Sequence, residues 1–421
     1  MFSIHENGRV LTKDGHPFFY LADTAWELFH RLTLKEADGY FRNRSELGFT
    51  VIQAVLLSEL NGVMEPNANG DLPLSGGDLA KPNQAYFTHC RDIALLADKY
   101  GLTMGILPSW GCHWQQDENG RALIRAENAR KYGAYLTETF RGLDVIWILG
   151  GDRMPRCEAE RETIRQLAKE LRTGGDALIT FHPMGPGQSS AVFHNEEWMR
   201  FNMNQTSHAA PTHPNQLFIA RDYALTPVKP TLDGEPRYEQ LPMGFYNKGH
   251  AALRRFDDAD VRRAAYAAVF SGACGHTYGN NNVWQMYDKG RTPVIGANQT
   301  WHESLHHPGA RQMGYLRALM ERMDFSGLRP AQALILQSPA AHEGVFVLLA
   351  SDALRLLAYS PYGRPFTLDN GWRRGTYRES WFCPKYNTCD SFLINDLTAP
   401  QTYVPPSEGN GHDWVLCMET V

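Results

Sequence analysis

The sequence predicts an α/β fold: a (β/α)₈ TIM barrel followed by an antiparallel β-sandwich. Apolar runs alternate with helical patterns from about residue 17 to residue 325. The runs are almost continuously apolar, as expected for parallel strands covered on both faces. Beyond Leu328 the helical period disappears, and short strand-like runs separated by turn residues take over.

The expected barrel strands lie at 18–23, 50–57, 102–108, 145–150, 177–182, 199–203, 229–233 and 275–278. Helical patterns fill the gaps. Ile164, Leu167, Ala168 and Leu171 follow the i, i+3, i+4, i+7 spacing of an amphipathic helix; Ile93, Leu96, Ala97 and Tyr100 do the same. A third pattern carries Val261, Ala264, Ala265, Ala268 and Val269. Strand–helix repeats in this order read as a barrel. An open doubly wound sheet would place a G-x-G-x-x-G turn after an early strand, and none stands there. The segment 58–82 is rich in Gly, Asn, Pro and Asp and follows the second strand, so it belongs on the barrel's C-terminal rim, where long loops shape a site. The sandwich runs are 333–337, 345–350, 354–359, 377–382, 392–394 and 414–418, with turns such as Ser360-Pro361-Tyr362-Gly363 and Asp369-Asn370-Gly371 between them. The expected domains are 1–328 and 329–421.

Composition narrows the function. A chain of 421 residues with 43% hydrophobic residues can fill two cores. A net charge of −5 without a basic block argues against nucleic acid or an anionic membrane as partner. The start, Met1-Phe2-Ser3-Ile4-His5-Glu6, has no signal-peptide pattern, and the expected location is cytoplasmic. The seven cysteines are scattered and form no C-x-x-C pair, so reduced thiols are expected; only export would favour a Cys383–Cys389 bridge. Aromatic residues make up 11%, with ten tryptophans, enough to line a cleft that stacks on the apolar face of a sugar.

Two acids stand out. The run Val145-Ile146-Trp147-Ile148-Leu149 stops at Gly150-Gly151-Asp152, and Lys229-Pro230-Thr231-Leu232-Asp233-Gly234 stops at Glu235. Each reads as a buried strand delivering a carboxylate to the barrel mouth, the fourth strand for Asp152 and the seventh for Glu235. Two carboxylates in one cleft are the parts needed to cut a glycosidic bond with retention. A helix cap or a salt-bridged acid is the ordinary alternative.

These segments carry a resemblance. Leu21-Ala22-Asp23-Thr24-Ala25-Trp26-Glu27-Leu28, Trp147-Ile148-Leu149-Gly150-Gly151-Asp152, Pro230-Thr231-Leu232-Asp233-Gly234-Glu235-Pro236-Arg237-Tyr238-Glu239 and Pro308-Gly309-Ala310 with Met313 resemble the apiosidase-like glycosidases, glycoside hydrolase family 140 and its relatives. The resemblance runs along the whole barrel and extends to the accompanying C-terminal sandwich. It implies a metal-independent retaining enzyme without cofactors, Asp152 as acid/base and Glu235 as nucleophile. The implied partner is a plant-type glycan or glycoside ending in a pentosyl unit, β-apiosyl first. The wider clan has Asn-Glu where this chain has Gly151-Asp152. That removes the Asn that holds the sugar's 2-hydroxyl and leaves Asn202, Gln205 or His182 for the task.

Other positions expected to look into the cleft are Asp23, Trp26, Gln53, Trp110, His113, Tyr238, His276, Tyr278 and Trp284. A non-catalytic sugar-binding protein is the second reading; it would keep the aromatic cleft and lose one acid. A third is raised by His302-Glu303-Ser304-Leu305-His306, which matches the H-E-x-x-H pattern of zinc peptidases. Gln312 replaces the third histidine of the longer form and Pro308 limits the helix, so a solvated surface helix and no metal are expected.

Overall fold

The computed structural model describes every residue except 174, 176, 207, 209–211, 246–253 and 341–342, and leaves out the side chains of 391 and 392. Among the described residues, the barrel strands are β1 (Tyr20–Thr24), β2 (Val51–Val55), β3 (Thr103–Leu107), β4 (Ile146–Gly150), β5 (Leu178–His182), β6 (Asn202–Gln205), β7 (Thr231–Glu235) and β8 (Gly275–Tyr278). Each pairs in parallel with its neighbour in sequence, and β8 pairs with β1. The exception is the seam between β5 and β6. There the Arg200 N–H donates to Ile179 O at 2.9 Å, and Thr180 Oγ1 donates to Phe201 O at 2.7 Å.

Alternation along these strands explains why their sequence looks uniformly apolar. Tyr20, Ala22, Val51, Val55, Ile146 and Ile148 pack into the barrel interior, which Phe2 and Leu11 of an N-terminal three-stranded meander also join. Leu21, Ile52, Trp147 and Leu149 pack outward against the helices. Both faces are buried, so both are apolar.

The helices following the strands are α1 (Leu34–Glu46), α2 (Gln84–Lys99), α3 (Ala126–Thr139), α4 (Glu158–Leu171), α5 (Asn215–Tyr223), α6 (Asp258–Phe270) and α7 (Pro308–Arg322). Thr33 and Glu36 close a capping box on α1, and Asp257 and Asp260 close one on α6. None of the described helices is long and apolar enough to cross a membrane. Three expectations shift. After β5 the chain makes only one helical turn, Ser190–Phe193, before β6. β6 begins at Asn202 rather than 199, and β7 ends at Glu235 rather than 233. Hydropathy places a strand's end where polarity begins, whereas the ladder continues through Gln205 and Glu235 because backbone pairing ignores side-chain polarity.

Beyond the barrel, a six-stranded antiparallel sheet faces a three-stranded one across a core that includes Val347, Leu356, Phe366, Tyr377 and Leu416. The short strands Leu328–Pro330, Phe366–Leu368 and Gln401–Tyr403 were not expected; at three residues they are too short to show a period. The six-stranded sheet abuts α6. Tyr266 stacks on Tyr359 with ring centroids 4.8 Å apart, and the buried Arg262 guanidinium meets Asp413, Nε to Oδ2, at 2.9 Å. Gln312 Oε1 accepts from Arg262 Nη1 at 2.6 Å. Asp413→Ala would leave the buried Arg262 with Asp258, at 2.9 Å, as its remaining carboxylate, and we expect it to cost about 3 kcal/mol, read as a lower urea midpoint for unfolding.

Candidate active site

At the C-terminal mouth of the barrel lies a cavity of about 600 Å³. Trp26, Trp110, Asp152, Gln205, Glu235, Tyr238 and Trp284 line it, all expected from the sequence. Asp152 reaches it through an unusual turn. Gly150, Gly151 and Asp152 all have positive φ, at 94°, 93° and 54°. A Cβ on Gly150 would come within 2.3 Å of the His182 carbonyl oxygen, and one on Gly151 within 3.0 Å of the Gly111 nitrogen. Two glycines therefore let the chain turn between neighbouring loops, and Asp is among the residues that tolerate the left-handed region.

His182, the last residue of β5, connects the two acids. Its Nδ1 accepts the Asp152 backbone N–H at 3.3 Å, so the ring proton belongs on Nε2. That Nε2 stands 2.9 Å from Glu235 Oε2, off the line of a good hydrogen bond, so the contact is chiefly electrostatic. On the other oxygen, Glu235 Oε1 meets His208 Nε2 at 3.0 Å. The Tyr238 hydroxyl accepts from Trp26 Nε1 at 3.2 Å and lies within hydrogen-bonding reach of Glu235. Trp26 packs edge-on against His182, with ring centroids 5.5 Å apart.

The environments drive the two acids apart. Burial pushes the Glu235 carboxyl up, but His182 and His208, one against each oxygen, outweigh it and bring it down to about 2. Burial and then the charge of Glu235 raise Asp152, against smaller pulls from His182, Arg153 and Gln205. Arg153 Nη1 donates to Asp152 Oδ2 at 2.9 Å, but both side chains are about a third exposed, which weakens the pull. A carboxyl held down and a carboxyl held up, facing a common cavity, can divide nucleophilic attack and proton donation between them.

Several expected positions do not line this cavity. Asp23 Oδ2 accepts from Arg44 Nε and from the Tyr40 hydroxyl, each at 2.6 Å, on the helix side of β1. Tyr278 likewise points away, donating to Glu239 at 2.5 Å. Gln53 lies deeper in the barrel and donates to Thr277 Oγ1 at 2.9 Å. His113 Nε2 meets the Ser58 carbonyl at 2.9 Å, beneath the loop that follows β2. Asn202 opens β6 at the far end of that strand and meets His194 at 3.2 Å. His276 is buried, and burial lowers its ring to about 3.

Sequence reasoning missed others. Glu59, Leu60, Met184, His208, His213, Leu241, Phe245, Val294 and Ile295 also line the cavity. They sit on connecting segments, where no hydrophobic period marks them. Only the Gly/Asn-rich texture of 58–82 pointed toward Glu59 and Leu60.

His302 and His306 lie elsewhere. The helix around them is one turn, Trp301–Ser304, and α7 starts afresh at Pro308, so the two rings do not share one continuous helical face. The Glu303 carboxylate is engaged by Thr300 N and Oγ1, each at 2.9 Å. Among the described residues, no group of three or more His, Cys, Asp or Glu could hold a metal ion.

If His182 holds Glu235 ionised, its removal raises the Glu235 pKa toward the value that burial imposes. In His182→Ala, ¹³C NMR of the labelled carboxyl should show Glu235 titrating at higher pH than in the wild type. An unmoved titration would leave His208 as the group that sets the charge.

The whole chain is similar to solved structures of glycosidases. One described as a glycoside hydrolase is 28% identical with a TM-score of 0.90, covering 100% of this chain and 96% of that one. A glycoside hydrolase family 5 structure from Bacteroides vulgatus ATCC 8482 is 29% identical with a TM-score of 0.91, covering 100% and 93%. A family 5 mannosidase from Rhizomucor miehei, 11% identical with a TM-score of 0.55 over 77% of this chain and 98% of that one, shares the fold alone. No curated protein compared matches significantly. The family model for "Putative collagen-binding domain of a collagenase" matches residues 330–419, and the model for the apiosidase-like catalytic domain matches residues 5–326. The chain therefore belongs to the apiosidase-like family of glycoside hydrolases.

Proposed function

We propose that this enzyme cleaves a terminal pentosyl unit, β-apiosyl first among the candidates, from a plant-type glycan or glycoside with retention of configuration. The observation that carries the proposal is the cavity shared by Asp152 and Glu235, whose environments push their pKa values in opposite directions. The family match supports the choice of sugar.

In the first step Glu235 attacks the anomeric carbon while Asp152 gives its proton to the departing oxygen, so the glycosidic C–O bond breaks as a glycosyl ester forms. The ester cancels the charge of Glu235. With that charge gone the Asp152 pKa falls, and the carboxylate becomes the base that takes a proton from incoming water. Water then attacks the same carbon, and Glu235 departs as a carboxylate. Trp26, Trp110 and Trp284 offer flat faces for the sugar. A binding protein without catalysis would have no use for an acid held up beside one held down.

Four outcomes test this. ¹H NMR of early hydrolysis of an apiose-containing oligosaccharide or an aryl pentoside should show the anomer of the substrate; the opposite anomer would exclude the covalent route. Glu235→Gln should lower kcat by three or more orders of magnitude. The sign of the pH response follows from the two acids: activity falls as pH rises through the Asp152 pKa and as pH falls toward about 2, where Glu235 takes a proton. In Asp152→Ala the rate on glycosides with poor leaving groups should collapse. The rate on 2,4-dinitrophenyl glycosides, which need no proton, should survive in part and lose its alkaline decline. A retained alkaline decline would assign the acid role to another group.

A further inference from the structure

A third carboxyl faces the cavity. Glu59 lines it with Asp152 and Glu235, and among the described residues its carboxyl has no hydrogen bond or ion pair. The side chain is partly buried, and neither carboxylate oxygen is spent on a described residue, so both remain available to a ligand in the cavity. Polar groups on other lining residues also lack a protein partner among the described residues, including the Trp110 indole N–H and the Gln205 side-chain oxygen. A donor, an acceptor and a carboxyl left open around one cavity suit a ligand that carries several hydroxyls.

The turn that presents Glu59 is built from three sides. Ser58 Oγ donates to the buried Glu27 Oε2 at 2.9 Å, and Arg31 Nε stands 3.8 Å from the same oxygen. His113 Nε2 holds the Ser58 carbonyl, and the Trp110 backbone N–H donates to Leu57 O at 2.9 Å. From within the loop, Gly62 packs so closely that a Cβ there would lie 2.1 Å from Ser58 Oγ. Glu27 follows β1, and Trp110 and His113 follow β3, so the loops of both strands that flank β2 fix where Glu59 sits.

We propose that Glu59 is a substrate-binding residue whose carboxyl hydrogen-bonds a hydroxyl of the bound sugar. This rests on the cavity being the glycosidase site. The groups that face Glu59 explain how it does so without adding a charge. Glu27 acts from the β1 end, Asp152 and Arg153 from the β4 end, and Glu235 from β7, with the Cys112 thiol beside it. Burial and the three acids push Glu59 up to about 8 against the weaker pull of Arg153. It therefore enters the complex at neutral pH as a carboxylic acid, able to donate as well as accept. As pH rises through that value it ionises, loses its proton for donation and puts another negative charge beside Asp152.

The test compares wild type, Glu59→Gln and Glu59→Ala on the 4-nitrophenyl pentoside that the wild type hydrolyses best, between pH 5 and pH 10. At pH 7 we expect Glu59→Ala to raise KM about tenfold with kcat within about threefold, the loss of roughly one hydrogen bond to substrate. Glu59→Gln should keep KM within about threefold. Above pH 8 the KM of the wild type should climb while that of Glu59→Gln stays level. Circular dichroism of both variants checks that the turn has not unfolded the barrel. Unchanged KM in Glu59→Ala, or parallel loss of affinity by wild type and Glu59→Gln above pH 8, would overturn this assignment and leave the glycosidase mechanism intact. A wild type that hydrolyses no glycoside would overturn both.

Discussion

A single imidazole sits at the centre of this site. His182 receives the backbone of one acid on Nδ1 and presents Nε2 to the carboxylate of the other. Because one ring nitrogen accepts, the other carries the proton, and the neutral ring still turns a positive edge toward Glu235. Much else serves this contact. The Gly150-Gly151 turn clears the backbone past the His182 carbonyl, Trp26 and Trp110 pack the ring, and Tyr238 and His208 complete the shell around Glu235. An ionised carboxylate with this much burial persists only where donors replace water, and here imidazole and phenol groups do so.

The rigidity behind that contact comes from outside the cavity. Glu235 ends β7, and α6, the helix that follows, is clamped against the sandwich by Arg262, Asp413 and the Tyr266–Tyr359 stack. Buried ion pairs of this kind contribute little net stability compared with apolar packing, but their directional bonds are disrupted by small shifts. We regard the sandwich as a brace for the β7–α6 unit. The chain's likeness over this region to a family named for collagen binding describes an architecture, and a fold by itself does not assign a ligand.

The barrel was legible because its signal is local. Every expected strand run overlaps an observed strand, and the 3.6-residue spacing of Ile164, Leu167, Ala168 and Leu171 corresponds to buried positions on α4. Errors gathered where polarity and pairing part company, as at the ends of β6 and β7, and where an element is too short to have a period, as in the three-residue strands of the sandwich. Within the site, residues at strand ends were easier to find than to orient. Asp23, inside β1, is locked to Arg44 on the outer face, whereas Trp26, just beyond the strand, lines the cavity. A strand points alternate side chains to opposite faces, and one residue of register decides which acid is structural.

The amino-acid order alone settled the eight barrel strands, how they follow one another, and that two acids stand at the ends of the fourth and seventh strands. Those properties depend on neighbours a few residues away, and hydrophobic spacing records them. The tertiary structure alone decided which groups surround each acid, and so which carboxyl is driven up and which down. It also brought Glu59 and His208 to the cavity from segments with no pattern of their own. Charge and burial act through space, between residues that the chain separates by tens of positions, so no local feature of the sequence can carry them.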